Sequence, residues 1–506
     1  MTPQMVAHIC AFIVYLGFMV FIGLRTMKKN NSASDFFLGG RKMGPWVTAL
    51  SAEASDMSGW LLMGLPGLAY LGGMKEAFWT AVGLAVGTYL SWLIVAKPLR
   101  KCTIAFGDAI TLPEFFTNRF KDKSHILATV LVIFNILFFT IYVASGLVAC
   151  AKLFQSVFGI NYHLGLIIGF VVVLAYTVTG GYMAVCSTDF VQGTLMFIAL
   201  IITGCVMLFV LKGPTEAFSA VSSFGNRAMS GEFGDIMKEK FSANQSFGIT
   251  SVISAVVWGL GYFGMPHFII RFMGIRSNKE ITTSRRVAII WVIVALAVAV
   301  LVGSLGTVYL PQVLDASKAE TVFSETIKLM FPAFVAGIFL CAILAAAMST
   351  ADSQLLVASS SFSQDVYKCW IKKNASDDEV LLVSRLAVVA VAVIALVIAI
   401  DEKSSVFNLV SNAWAGFGAT LGPLVLLSIF WKKITKTGAI AGLVTGGIAV
   451  IVWNRLPATI CPIFGIYEIL PAFILNLVVA IAVSLIVKDN DPEIEAAFDA
   501  YKKLED

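Results

Sequence analysis

Apolar runs of about twenty residues recur along almost the whole chain, divided by short polar segments. A helix of that length matches the ~30 Å hydrocarbon core of a bilayer. The pattern predicts thirteen helical spans, near residues 5–24, 45–71, 77–96, 125–151, 160–180, 189–211, 248–270, 284–311, 331–360, 381–400, 406–431, 438–454 and 466–487. The expected architecture is an all-α polytopic bundle. It has about 13 transmembrane helices and no soluble catalytic domain at either end.

Composition agrees with this reading. Of 506 residues, 58% are hydrophobic and only 13% charged, whereas a soluble domain is nearer half apolar and a quarter charged. The net charge of +5 is explained by where the bases fall. With loops assigned alternately to the two sides, 26 of the 36 Lys and Arg lie on one side and ten on the other. Basic loops stay cytoplasmic, so the N-terminus is expected outside and the C-terminus in the cytoplasm. The charge gives no reason to invoke nucleic acid. The opening MTPQMVAHIC lacks a basic stretch and a cleavage site, so the first run is expected to be kept as a helix. Eight cysteines are scattered with no CxxC pair, which reads as small apolar filler rather than a metal or redox framework.

Two spans interrupt themselves. The second, VTALSAEASDMSGWLLMGLPG, carries Glu53 and Asp56 among Ser51, Ala52, Ala54, Ser55, Ser58 and Gly59. The seventh, AVVWGLGYFGMPHFIIRF, holds Gly259, Gly261, Gly264 and Pro266. Four spans separate them, so each opens a five-helix repeat, and an odd repeat length inverts one half against the other. Paired broken helices in inverted halves are a sequence pointer to a secondary-transporter site. Asp56 and Trp258 both fall about ten residues from a span's start, ~15 Å deep. The expected parts are 1–44 (first helix and cytoplasmic loop), 45–211 (first repeat), 212–247 (external loop), 248–431 (second, inverted repeat), 432–487 (two further helices) and 488–506 (cytoplasmic tail).

A carboxylate at mid-bilayer costs ~2.5–3.5 kcal/mol on insertion scales, and so marks an ion or substrate path. Asp56 is such a residue. In the ninth span, CAILAAAMSTADSQLL, the adjacent hydroxyls of Ser349 and Thr350 either bond back to carbonyls four residues earlier or offer oxygens to a hard cation. Asp189, in AVCSTDFVQG, reads on its own as a solvated helix cap.

These residues carry a resemblance. DFFLGGRKMGPWVTALSA, ASDMSGWLLMGLPG, TLPEFF, FFTIYVASG, VCSTDFVQ, WGLGYFGMPH, ILAAAMST and NAWAGFGATLGP make the chain, from about residue 35 to 470, similar to the sodium:solute symporter family in its proline-transporting bacterial branch. The resemblance implies leucine-transporter-like inverted five-helix repeats. It also implies symport of Na⁺ and L-proline by alternating access across the bacterial cytoplasmic membrane, with lipid as surrounding partner and no cofactor beyond the coupling ion. It places the Na⁺ site on the carbonyls of Ala54, Met57 and Ala346 and the hydroxyls of Ser349 and Thr350. Asp56 and Asp189 serve ion coupling. Ser58, Gly59, Tyr142, Trp258, Tyr262 and Pro266 form the substrate side, and Arg41 acts in cytoplasmic release. On that footing Asp189 rises above a simple cap.

Proline suits such a site, since its ring is compact and apolar and its ammonium can lie over an aromatic face. Two residues depart from the family. Glu53 stands where a small residue is usual, on about the face of Asp56. It is expected to be protonated, to pair with a cation, or to face the cytoplasmic pathway. Met265 replaces an amide before the Pro–His pair. Rival readings are a family transporter for a sugar, pantothenate or sialic acid, a membrane-embedded enzyme using Asp56 and His267, and a channel. The enzyme reading lacks a second mid-span catalytic aspartate and any HExxH spacing.

Overall fold

A computed structural model describes residues 2–27, 33–179, 181–456, 459–487 and 491–503. Among the described residues the chain is helical, and its lone strand-like feature is a parallel bridge between Met43 and Ile275. Helices stand where the apolar runs are, beginning with Pro3–Met27 and ending with Ile469–Val487. Ten are long and apolar enough to cross a membrane, or eleven if a pair bent by 100° at residues 246–248 counts as one. The expected count of thirteen is not reached by that measure. The second and seventh runs are broken into short pieces, and the apolar part of the fifth runs only from Tyr162 to Ala175. Ordinals below follow the expected spans.

The second span is built from Pro45–Gly59, a wide turn at Trp60–Gly64 and Leu65–Gly72. The seventh is built from Ile249–Val256, a tight turn at Val257–Phe263 and Pro266–Gly274. The third (Met74–Ala105), sixth (Tyr182–Val210), eighth (Asn278–Tyr309), ninth (Ala333–Ser360) and eleventh (Val406–Phe430) enclose them. The fourth, Ile126–Phe158, runs 33 residues and packs on the ninth and eleventh. Small residues let backbones meet, as membrane helices need where no hydrophobic force draws them together. A Cβ added to Gly87 on the third span would overlap the carbonyl of Gly259 on the seventh, and one on Gly303 would overlap that of Pro66.

The 212–247 segment is not bare loop. It folds into Pro214–Met229 and Asp235–Gln245, the first started by Gly213 (φ 103°) and a proline at its first position. The tail carries a helix too, Pro492–Lys503. Its Phe498 lies 4.9 Å from the guanidinium of the buried Arg119, and Lys432 meets Asp499 at 2.7 Å.

Because the Gly87–Gly259 approach is backbone on backbone, no rotamer change can relieve a side chain there. Gly87→Val is expected to cost about 1–3 kcal/mol, the range for overpacking. In detergent this appears as a lower melting temperature than that of a substitution at lipid-facing Val86. An unchanged melting point would show that the two helices separate freely.

Candidate functional site

In the second span the helix fails at Ser58, whose backbone (φ 50°, ψ −171°) lies in a region nearly reserved for glycine. The Ser58 hydroxyl partly compensates by accepting the Trp60 amide at 3.1 Å. In the seventh, Gly264 ends the tight turn and Met265 is extended (ψ 106°), as the residue before a proline must be. Pro266 then restarts a helix. Two half-helix N-termini, at Trp60 and Pro266, therefore face the middle of the bundle, where their positive ends favour an anionic group.

Cross-span hydrogen bonds hold the first break. The Ser349 hydroxyl contacts the carbonyl of Ala54 at 2.8 Å and that of Ala346 at 3.3 Å. Three of the five proposed cation ligands thus meet within one hydrogen-bond network. Thr350, next along, is buried with its hydroxyl unpartnered, and the Met57 carbonyl receives the Trp60 amide. The Tyr142 hydroxyl donates to the Asp56 carbonyl at 3.0 Å. Asp56 is buried, accepts the Tyr262 hydroxyl on Oδ2 at 2.6 Å, and has no partner on Oδ1. Gly59 rests against Ala149, where a Cβ would lie 2.8 Å from that methyl.

A small cavity of about 10 Å³, no more than one water's room, joins Asp56, Met57, Trp60, Leu84, Tyr142, Trp258, Tyr262, Val410 and Trp414. Ser58, Gly59 and Pro266 form the breaks beside it and do not line it. On one side Trp258 also borders a vestibule of about 910 Å³. Between the two spaces Trp258 packs with Trp60 (5.5 Å), Phe407 (5.4 Å) and Tyr467 (5.0 Å). Trp414 fixes this layer by donating its indole N–H to the Trp258 carbonyl at 2.7 Å. Ser91 does the same for the Tyr262 carbonyl at 2.9 Å.

The other end is latched. Arg41 donates to the Met273 carbonyl (2.7 Å), the Ala109 carbonyl (2.9 Å) and Asp108 (2.9 Å). Burial pulls its guanidinium below the ordinary pKa, and Asp108 opposes that shift. Arg100 takes the carbonyls of Ile275 and Arg276. Arg41 thus ties the end of the Pro266–Gly274 helix to the segment before the second span, and Arg100, at the end of the third, holds the two carbonyls that follow that helix.

Asp189 is not a solvated cap. It is fully buried and ion-paired at 3.1 Å with Arg271, a residue the hydropathy boundary left in a loop. The Ser51 hydroxyl bonds the same carboxylate at 2.7 Å, and Arg271 also reaches Ser51, Ser353 and the His267 carbonyl. Buried Asp352, three residues beyond Ser349, likewise went unnoticed in the sequence. Glu53 is fully buried and accepts the Trp92 indole N–H at 3.1 Å. Met265 is apolar core, and His267 is buried edge-on to Phe139 and Tyr142.

Two broken helices facing one another inside a helical bundle, with a vestibule at one end and a latch at the other, define a leucine-transporter-like carrier. Comparisons agree. The sodium:solute symporter family model matches residues 36–446. Sodium/proline symporters of Escherichia coli K12 and Haemophilus influenzae are each 42% identical, over 98% and 97% of this chain and 96% and 97% of their own lengths. The high-affinity proline transporter PutP of Bacillus subtilis 168 is 42% identical over 96% of this chain and 99% of its own. The structure of a Na⁺-coupled sialic acid symporter in a substrate-bound outward-open state superposes with TM-score 0.76 at 20% identity, covering 95% of this chain and 98% of that one. A nucleobase-cation-symport-1 family transporter, closed with bromovinylhydantoin bound, gives 0.53 at 13% identity over 93% and 99%. The chain belongs to the sodium:solute symporter family. It is a transporter, and the membrane-embedded enzyme reading falls away.

Removing one partner of a buried ion pair strands the other charge, typically at about 3–5 kcal/mol. Asp189→Asn and Arg271→Met are each expected to lower the melting temperature markedly. The double variant should recover part of the loss, because it leaves no lone charge. Additive losses would mean that the two side chains do not act as a pair.

Proposed function

We propose that this protein couples inward Na⁺ flow to L-proline uptake by alternating access in a bacterial cytoplasmic membrane. What supports this reading is the break at Ser58, beside which the Ser349 hydroxyl bonds the Ala54 and Ala346 carbonyls, while the Thr350 hydroxyl and one Asp56 carboxylate oxygen are buried without partners. A hard cation is served by several neutral oxygens near one charge. Na⁺ taken there replaces the Ser349 hydroxyl proton as the bridge between the Ala54 and Ala346 carbonyls. That fixes the bend and sets the Asp56–Tyr262 bond in place. Names borne by full-length relatives support proline as solute.

The geometry suits that solute. Proline is small, so parting of Trp60 and Trp258 opens room for its ring against Trp258 and Tyr262, and the positive helix starts at Trp60 and Pro266 favour its carboxylate. Entry from the vestibule requires Trp60 and Trp258 to part. Release requires the Arg41 and Arg100 latch to open, with the Asp189–Arg271 pair within the moving elements. Solutes as long as pantothenate or sialic acid would need a far larger rearrangement of the Trp258 layer.

Orientation and division follow the same reading. The vestibule faces outward, the arginine latch and C-terminal tail lie in the cytoplasm, and residues 45–211 and 248–431 form the inverted repeats. A membrane-impermeant thiol reagent applied to intact cells is expected to label Cys461, with Cys461→Ser as control. It should label Ala496→Cys only after permeabilisation, and the opposite pattern would reverse the topology.

In proteoliposomes, labelled proline uptake is expected to require an inward Na⁺ gradient and to be nearly lost in Asp56→Ala. Ser349→Ala and Thr350→Ala should each raise the half-saturating Na⁺ concentration roughly tenfold, as loss of one interaction worth ~1.4 kcal/mol does. Wild-type Na⁺ dependence in both would return these hydroxyls to packing. Uptake without Na⁺ would remove the coupling.

A further inference from the structure

A further cavity, of about 640 Å³, lies apart from the broken helices. Its walls are the tail helix, Pro492–Lys503, and the ends of the eleventh (Val406–Phe430) and thirteenth (Ile469–Val487) spans. Phe430 and Leu485 stand at those two ends and are 46% and 50% exposed. Trp431, half-buried, follows Phe430 at the edge of the span, where aromatic rings mark the passage from hydrocarbon to head groups. The tail helix adds the ring of Phe498. The floor of the cavity is apolar and opens at the depth of lipid head groups.

Its rim is basic. Lys432, Lys433 and Lys502 line it against two acids, Glu495 and Asp499. One base engages both acids, since Lys432 meets Asp499 at 2.7 Å and Glu495 at 3.3 Å. Lys433 and Lys502 are exposed, and among the described residues no ion pair reaches either. A fourth cation stands against the wall. Arg119 is fully buried 4.9 Å from the Phe498 ring, donates to the carbonyls of Ser428 and Trp431, and has no partner on Nη1. Lys502 lies 5.1 Å over the same ring. Four cations thus stand in or against the cavity for two carboxylates. A neighbouring crevice of about 160 Å³ differs, because its Lys121 and Lys436 are paired with Asp491 and Asp122.

An apolar floor beneath an unbalanced basic rim fits a ligand with acyl chains and one anionic head. Basic pockets between span ends hold such head groups in membrane proteins. We propose that this cavity binds one anionic phospholipid, with its phosphate against Lys433 and Lys502 and its acyl chains along Phe430 and Leu485. Lysine suits the contact, as a point charge on a long stem that can follow a phosphate. A zwitterionic lipid brings its own ammonium to this rim, and the two acids that could receive it are already engaged by Lys432. Head groups without a cation are therefore preferred. The bound lipid joins the tail helix to two span ends, and a ligand of the native state alone stabilises that state.

The test uses purified full-length protein in detergent with phosphatidylglycerol and phosphatidylcholine of the same acyl chains. In an equimolar mixture, native mass spectrometry is expected to find one phosphatidylglycerol retained per wild-type chain in preference to phosphatidylcholine. Each lysine near an anionic lipid is worth roughly fivefold in affinity, so the double variant Lys433→Gln, Lys502→Gln should lose roughly twenty-five-fold of that preference. The charge-keeping double variant Lys433→Arg, Lys502→Arg should hold most of it. Phosphatidylglycerol should also raise the wild-type melting temperature more than phosphatidylcholine does, and inorganic phosphate should leave it unchanged. Equal retention of the two lipids by the wild type overturns the site, as does an undiminished preference in the glutamine variant. A rise produced by inorganic phosphate alone makes this a free-anion site and overturns the lipid. Where the glutamine variant does not fold, the wild-type competition decides.

Discussion

Backbone that leaves its helix inside a hydrocarbon layer must find partners for the amides and carbonyls it releases. The architecture at the centre of this bundle follows from that constraint. At Ser58 the released groups are met from three directions: by Ser349 on the ninth span, by Tyr142 on the fourth and by the Ser58 side chain itself. Ser349 and Tyr142 donate hydroxyl protons across spans to backbone carbonyls, and Ser58 accepts an amide of its own break, so the bend is held by side chains in place of a continuous helical ladder.

The same constraint explains why glycine concentrates where it does. The seventh span gains close backbone contact with the third through Gly259 and Gly87, and with the eleventh through Gly261, where a Cβ would strike the Trp414 ring. That approach lets Trp414 and Ser91 reach the carbonyls of Trp258 and Tyr262. A broken helix held by side chains of neighbouring spans can change its partners, whereas one held by its own ladder cannot. The aromatic layer over Asp56 is thus anchored through main-chain carbonyls, which leaves its rings free to move.

Both breaks were legible in the chain, because a cluster of small, hydroxylated and glycine residues weakens an apolar run at the point where it must stay helical to cross a membrane. Asp56 was found on that basis, and Tyr262, which only the family resemblance named, is its hydrogen-bond partner. What stayed hidden was pairing across long separations. Arg271 read as loop because hydropathy places a boundary at any charge, yet its partner Asp189 lies 82 residues away and neutralises it inside the bundle. Glu53 and Trp92 are 39 residues apart, and nothing local marks an indole as a carboxylate's partner. The count of thirteen spans is not confirmed by continuous helix length among the described residues, since the broken second and seventh spans and the short apolar part of the fifth lack that length.

The two ends of the bundle are closed by different physics. At the latch, directional hydrogen bonds from Arg41 and Arg100 hold carbonyls at and just beyond the end of one half-helix, so opening it exposes several carbonyls together. At the vestibule, Trp60, Trp258, Phe407 and Tyr467 close the site by ring packing with no hydrogen bond between their side chains, and such contacts separate ring by ring. The first barrier is cooperative and the second graded. A carrier with this asymmetry admits a small solute from the vestibule by fluctuation of a few side chains. It opens the opposite end only as a concerted event, and the moving helix is the one that also bears Arg271.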